Sequence, residues 1–123
     1  MPLKIEQLES NIMVVTYIGQ MDITEHWAEY NKTIAPFCNE LEPDSAHVIH
    51  HLSQIDIDFT DMIKWLQSMQ SRRTEHLLAP NMKQYFVGGN QWTTSLSNWI
   101  KKQDGIKIPI FTNLHQAVTY INQ

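Results

Sequence analysis

Leu3-Lys4-Ile5-Glu6-Gln7-Leu8-Glu9-Ser10-Asn11-Ile12-Met13-Val14-Val15-Thr16-Tyr17-Ile18 is the stretch whose reading decides the fold. Residues 3–8 alternate apolar and polar, the pattern of a strand with one face in water. Glu9-Ser10-Asn11 is turn chemistry. Residues 12–18 are almost all apolar or β-branched, as expected of a strand covered on both faces. A turn this short joins the two strands as an antiparallel hairpin.

Helices and strands alternate after the hairpin. Gly19 ends the second strand, and Asp22-Ile23-Thr24-Glu25 has the form of a helix start, with a cap and a carboxylate three residues on. Trp27, Tyr30, Ile34, Phe37, Cys38 and Leu41 follow at helical spacing. Pro36 lies inside this stripe without changing its phase, which predicts a kink or a tight second segment rather than a long loop. Ala46–Leu52 reads as the third strand. Asp58 begins a helix carrying Phe59, Met62, Ile63, Leu66 and Met69 on one face. Met82–Val87 is the fourth strand, and Trp92, Leu96, Trp99 and Ile100 mark a helix ended near Gly105. Ile106–Phe111 is the last strand, and Pro109 places it at a sheet edge because proline offers no ladder donor. Thr112 or Asn113 caps a final helix with Leu114, Ala117, Val118 and Ile121 inward. The order ββαβαβαβα predicts an α/β fold in one domain, residues 1–123. Its mixed five-stranded sheet is led by a hairpin and mostly parallel, with four helices.

Composition fits one globular core. The 123 residues are 42% apolar and 18% charged, with four each of Trp, Phe and Tyr. The single cysteine, Cys38, has no internal bridging partner and reads as a small buried hydrophobe near Glu40 and Glu42. Formal charge is −4, and the nine Lys and Arg form no stripe, which argues against a nucleic-acid partner. No apolar run approaches the ~20 residues that span a bilayer, and the start has no apolar signal core. The chain reads as a whole protein of a reducing cytoplasm.

In this order and in three short motifs the chain resembles the STAS, or SpoIIAA-like, family of anti-sigma-factor antagonists. Ile18-Gly19-Gln20-Met21-Asp22 is similar to the Gly-Glu-Leu-Asp that ends the strand before the first STAS helix. Val48 to Asp58 resembles the strand and loop leading to the family's phosphorylation motif. Phe111-Thr112-Asn113-Leu114-His115-Gln116-Ala117-Val118 resembles its closing strand and helix. The resemblance implies a non-enzymatic bacterial regulatory module that binds a protein partner, alone or as a homodimer. It implies no cofactor and no membrane insertion.

The family's switch motif is Asp-Ser-Ser/Thr-Gly, with the residue before the glycine receiving phosphate. Here the stretch is Asp58-Phe59-Thr60-Asp61. Thr60 is therefore the phosphorylation candidate. A phosphate there gains from a helix N-terminus, but it faces the carboxylates of Asp58 and Asp61, so the expectation is a module without a working phospho-switch.

Other residues are candidate contacts. Gly88-Gly89-Asn90 joins a strand to a helix where α/β sheets bind ligands. Its glycines permit close backbone approach, so the alternative reading is a binder of a small apolar or anionic ligand, with a pocket around Gly88 and Thr60. Trp65 lies off the inward axis of its helix and is a candidate partner anchor; Trp27, Trp92 and Trp99 lie on inward stripes. His47 and His51 share a strand face and His50 takes the other, so at most two converge and no metal site is expected. These histidines are expected to pack or hydrogen-bond and to titrate near neutral pH. No nucleophile elbow, zinc-protease motif or cysteine pair indicates catalysis.

Overall fold

The computed structural model describes residues 3–19, 28–42, 45–56, 60, 61, 64, 67, 82–88, 91–105 and 107–123. β1 (Leu3–Glu9) and β2 (Ile12–Tyr17) form the antiparallel hairpin, with a bulge between Gln7 and Glu9. β3 (Ala46–His51), β4 (Met82–Val87) and β5 (Ile110–Phe111) add in parallel, giving the order β1-β2-β3-β4-β5. The strand order therefore follows the chain, and β1 and β5 are the two edges.

Three helical stretches have defined bounds among the described residues, against the four expected. The first is a π-helical segment, Tyr30–Ile34, running directly into α1 (Ala35–Asn39). Pro36 explains the junction. It has no N–H to donate, so it sits in the first turn of α1, where that donor would be idle, and the wider π turn keeps the chain helical up to it. α2 is Gln91–Asp104, ending just before Gly105 as expected. α3 is Leu114–Ile121, capped by Asn113 rather than Thr112: Gln116 N–H donates to Asn113 Oδ1 at 2.9 Å, while Thr112 N–H donates to Gln116 Oε1. Of the helix expected from Asp58, Thr60, Asp61, Lys64 and Gln67 are described and are helical.

β5 is shorter than the expected Ile106–Phe111. Pro109 cannot extend the ladder with a donor, although its carbonyl still accepts from Phe86 N–H at 2.9 Å. The approach to β5 is instead held by one buried side chain and by a hydrogen bond from α2. Ile108 is buried, and Ser97 Oγ on α2 donates to the Ile108 carbonyl at 2.9 Å.

The sheet has an apolar cluster on each face. One contains Met13, Val15, Tyr17, Val48 and Phe86 beneath Ile34, Phe37 and Cys38 of the first helical unit and Leu96 and Ile100 of α2. The other contains Ile12, Val14, Ile49, Tyr85 and Val87 beneath Ala117, with Leu114, Val118 and Ile121 packed alongside. The inward stripe read for α3 is the observed one. Trp99 is half-buried against the first cluster; Trp27, Trp65 and the side chain of Trp92 lie outside the described part.

Candidate functional site

The C-terminal ends of the parallel strands form one side of the candidate region. Beyond β2, Gly19 makes a parallel bridge to Ile55. Its N–H donates to the Gln54 carbonyl at 3.1 Å, and its carbonyl accepts from Asp56 N–H at 2.7 Å. The loop that leaves β3 is thereby tied to the end of β2 before it reaches Thr60. Thr60 is exposed and helical, and Asp61 beside it is half-buried and engaged. Asp58, Trp65, Gly89 and Asn90 lie outside the described residues; of the expected candidates Thr60, Asp61 and Gly88 are described.

Gly88 has a packing reason to be glycine. Its φ is +145°, and a Cβ would sit 3.3 Å from Ser53 N and 3.5 Å from the Leu52 carbonyl carbon. The residue is buried. Its N–H donates to the Phe111 carbonyl at 3.0 Å, and the neighbouring Val87 carbonyl accepts from Leu52 N–H at 2.8 Å. Gly88 is thus a point where the chain leaving β3 packs closely against the end of β4.

The three histidines of β3 split between the faces as the strand period requires. His50 is fully buried on the face of α1 and α2. Its Nε2 lies 2.8 Å from Gln84 Oε1 and its Nδ1 2.9 Å from Tyr17 Oη. The amide oxygen has no hydrogen to give, so Nε2–H donates to it. Nδ1 then carries the lone pair and accepts from the Tyr17 hydroxyl. The result is a directed polar chain across β2, β3 and β4. Phe86 meets the His50 ring edge-on, with centroids 5.7 Å apart. Burial pushes the His50 imidazole down to about 4, the Gln84 hydrogen bond opposing it, and burial alone raises the Tyr17 phenol far above its ordinary range.

On the other face His47 Nδ1 meets Tyr85 Oη at 2.8 Å, and at the strand's end His51 Nε2 meets Ser53 Oγ at 2.8 Å. Burial lowers both imidazoles, and Lys83 adds to the effect at His47. The expected neutral-pH titration of these histidines is therefore corrected downward: partial or complete loss of water disfavours the imidazolium. Among the described residues no group of three His, Cys, Asp or Glu side chains converges as a metal site.

An aromatic groove near β5 was not evident from the sequence. Phe111 and Tyr120 lie with ring centroids 5.3 Å apart, and Tyr85 contacts both. Phe111, His115, Gln116, Thr119, Tyr120 and Gln123 line a shallow space of about 380 Å³. Tyr120 is half exposed. Its position off the Leu114-Ala117-Val118-Ile121 stripe was the available signal.

No family model matches this sequence, and no curated protein does either. Solved structures do match in shape. The anti-sigma factor antagonist SpoIIAA in its unphosphorylated form is similar at a TM-score of 0.65 and 7% identity, over 98% of this chain and 97% of that one. An anti-sigma factor antagonist from Mycobacterium paratuberculosis is similar at 0.55 and 15% identity, over 98% and 93%. An uncharacterized protein of the DUF3478 family with a SpoIIAA-like fold, from Shewanella loihica PV-4, is similar at 0.63 and 8% identity, over 97% and 91%. This chain has the SpoIIAA-like fold along nearly its whole length, in a divergent sequence.

Proposed function

We propose that the protein is a non-enzymatic regulatory module of the STAS type. It works in the cytoplasm by binding a protein partner, without a working phospho-switch at Thr60. The observation that carries this reading is the likeness to two anti-sigma factor antagonists over nearly the full length of each chain. The strand-end geometry supports it: Gly88 is occupied by backbone packing, which removes the main reason to place a small ligand there. No helix among the described residues is long and apolar enough to cross a membrane. Phe59 and Asp61 replace the residues that flank the phosphate acceptor in the switch motif, and a phosphate on Thr60 would be repelled by Asp61.

The test combines cross-linking in the source cells with reconstitution from purified components. The expected result is a protein that forms a complex with this chain. That complex is weakened by Trp65→Ala and unchanged by Thr60→Ala, and Thr60 carries no phosphate by mass spectrometry under any growth condition. The reading is overturned if reconstitution yields no protein complex while native mass spectrometry shows a retained small molecule. Stoichiometric Thr60 phosphate that switches binding would overturn the part concerning the switch.

A further inference from the structure

The two edges of the sheet are guarded unequally. β5 contributes only Ile110 and Phe111 to the ladder and is preceded by Pro109, the kind of short, proline-bearing edge that resists pairing. β1 is a long strand, straight from Leu3 to Gln7 until the bulge bends it. At its far end polar groups are engaged: Gln7 Nε2 donates to the Glu9 carbonyl at 3.2 Å, and Asn122 Nδ2 donates to Glu9 Oε2 at 3.1 Å. Among the described residues no hydrogen bond beyond the β1–β2 ladder engages the backbone of Leu3–Gln7. With β1 at the sheet edge, the outward N–H and C=O groups of that segment have no strand partner among the described residues.

The charges on this edge select one partner. Lys4 and Glu6 lie on the same face of β1, with Nζ and Oε1 2.8 Å apart, and both are exposed. Suppose a second β1 lies antiparallel along the first. Ladder geometry requires residues with outward backbone groups to face each other, so allowed registers differ by two residues. Pairing about Lys4 sets Lys4 against Lys4. Pairing about Glu6 sets Glu6 against Glu6. Only pairing about Ile5 sets Lys4 against Glu6 twice, with Ile5 facing Ile5. Opposite charges directly across a ladder are favourable and like charges are not. The same two-fold axis makes the contact self-complementary and closed.

We propose that two copies of this chain pair through β1, antiparallel about Ile5, into a continuous ten-stranded sheet. The contact is a strand edge rather than a broad face. Its buried area is therefore small and its association weak, visible at about 0.1–1 mM. It does not depend on the regulatory reading above.

Sedimentation velocity over a dilution series, with amide chemical shifts followed by NMR, tests the pairing. The expected result is a monomer–dimer equilibrium whose shifts concentrate on residues 3–7. Lys4→Glu alone or Glu6→Lys alone weakens it by about tenfold, because two attractive pairs become two repulsive ones. Both variants are at exposed positions and leave the fold intact. Mixing the two single variants restores association, since every facing pair is then of opposite sign, and the double variant Lys4→Glu/Glu6→Lys restores it as well. A chain that stays monomeric to about 1 mM overturns the proposal. So does a dimer indifferent to the single reversals, or one whose shifts fall on β5 and α3.

Discussion

Lowering the pH should strip stability from this fold through His50. The imidazole is fully buried and neutral, held between Tyr17 and Gln84, and its folded value is about 4 against 6.5 in an open chain. Above pH 6.5 both states are neutral at this site and it contributes no pH dependence. Between 6.5 and about 4 the unfolded chain takes up a proton that the folded chain refuses, so stability falls as pH falls. The gap is about 2.5 pH units at about 1.4 kcal/mol each, a loss of about 3 kcal/mol when pH has dropped through the folded value. That is a large share of the ~5–15 kcal/mol typical of a domain. The measurement is urea unfolding at pH steps from about 7.5 to about 4, on the native chain and on His50→Gln. His50→Gln removes the titrating group, so the difference between the two curves isolates it from every other titration. A parallel NMR titration of the imidazole Cε1–H follows His50 directly and needs no variant. A shift of His50 near pH 6.5 in the folded protein, or equal pH slopes for the two chains over this range, would refute the reasoning.

Three further outcomes follow from the packing. Gly88→Ala should destabilise the fold by about 2 kcal/mol, read by urea midpoint, because it forces a Cβ at φ +145° to within 3.3 Å of a backbone nitrogen. Thr93→Val should stabilise the fold by about 1 kcal/mol, read by thermal melting, because the Thr93 hydroxyl is buried without a hydrogen-bond partner among the described residues and valine matches its shape. Cys38 is buried and burial pushes its thiol up to about 11. Its reaction with a disulfide reagent near pH 8 should therefore be slow in the native chain and become complete in denaturant.

Local pattern was enough for most of the architecture. The alternation of Leu3 to Leu8 and the apolar run of Ile12 to Ile18 specified the hairpin, because side chains on a strand repeat every two residues. Pro109 specified an edge because a missing N–H is missing in any context. Thr60 was legible as a helical position, and Gly88 as a residue whose missing side chain permits close approach, there read as the approach of a ligand. What approaches Gly88 was not legible: the Leu52–Ser53 backbone lies far away in sequence. The aromatic contact of Phe111 with Tyr120 was missed for a related reason, since the rings meet across a strand-to-helix turn rather than along one element.

The sequence by itself thus determined the order of elements, the hairpin, the edge position of β5 and the inward stripe of α3, all carried by residues near one another in the chain. Tertiary structure alone decided which histidine matters. His47, His50 and His51 look alike in sequence, and strand period assigns only their faces. His50 became the buried centre of a polar chain because parallel register set Val15 and Phe86 beside it. That register brought Tyr17 and Gln84, 33 and 34 residues away, within hydrogen-bond reach. Partners so distant are chosen by the stacking of strands and helices, and no local pattern records it.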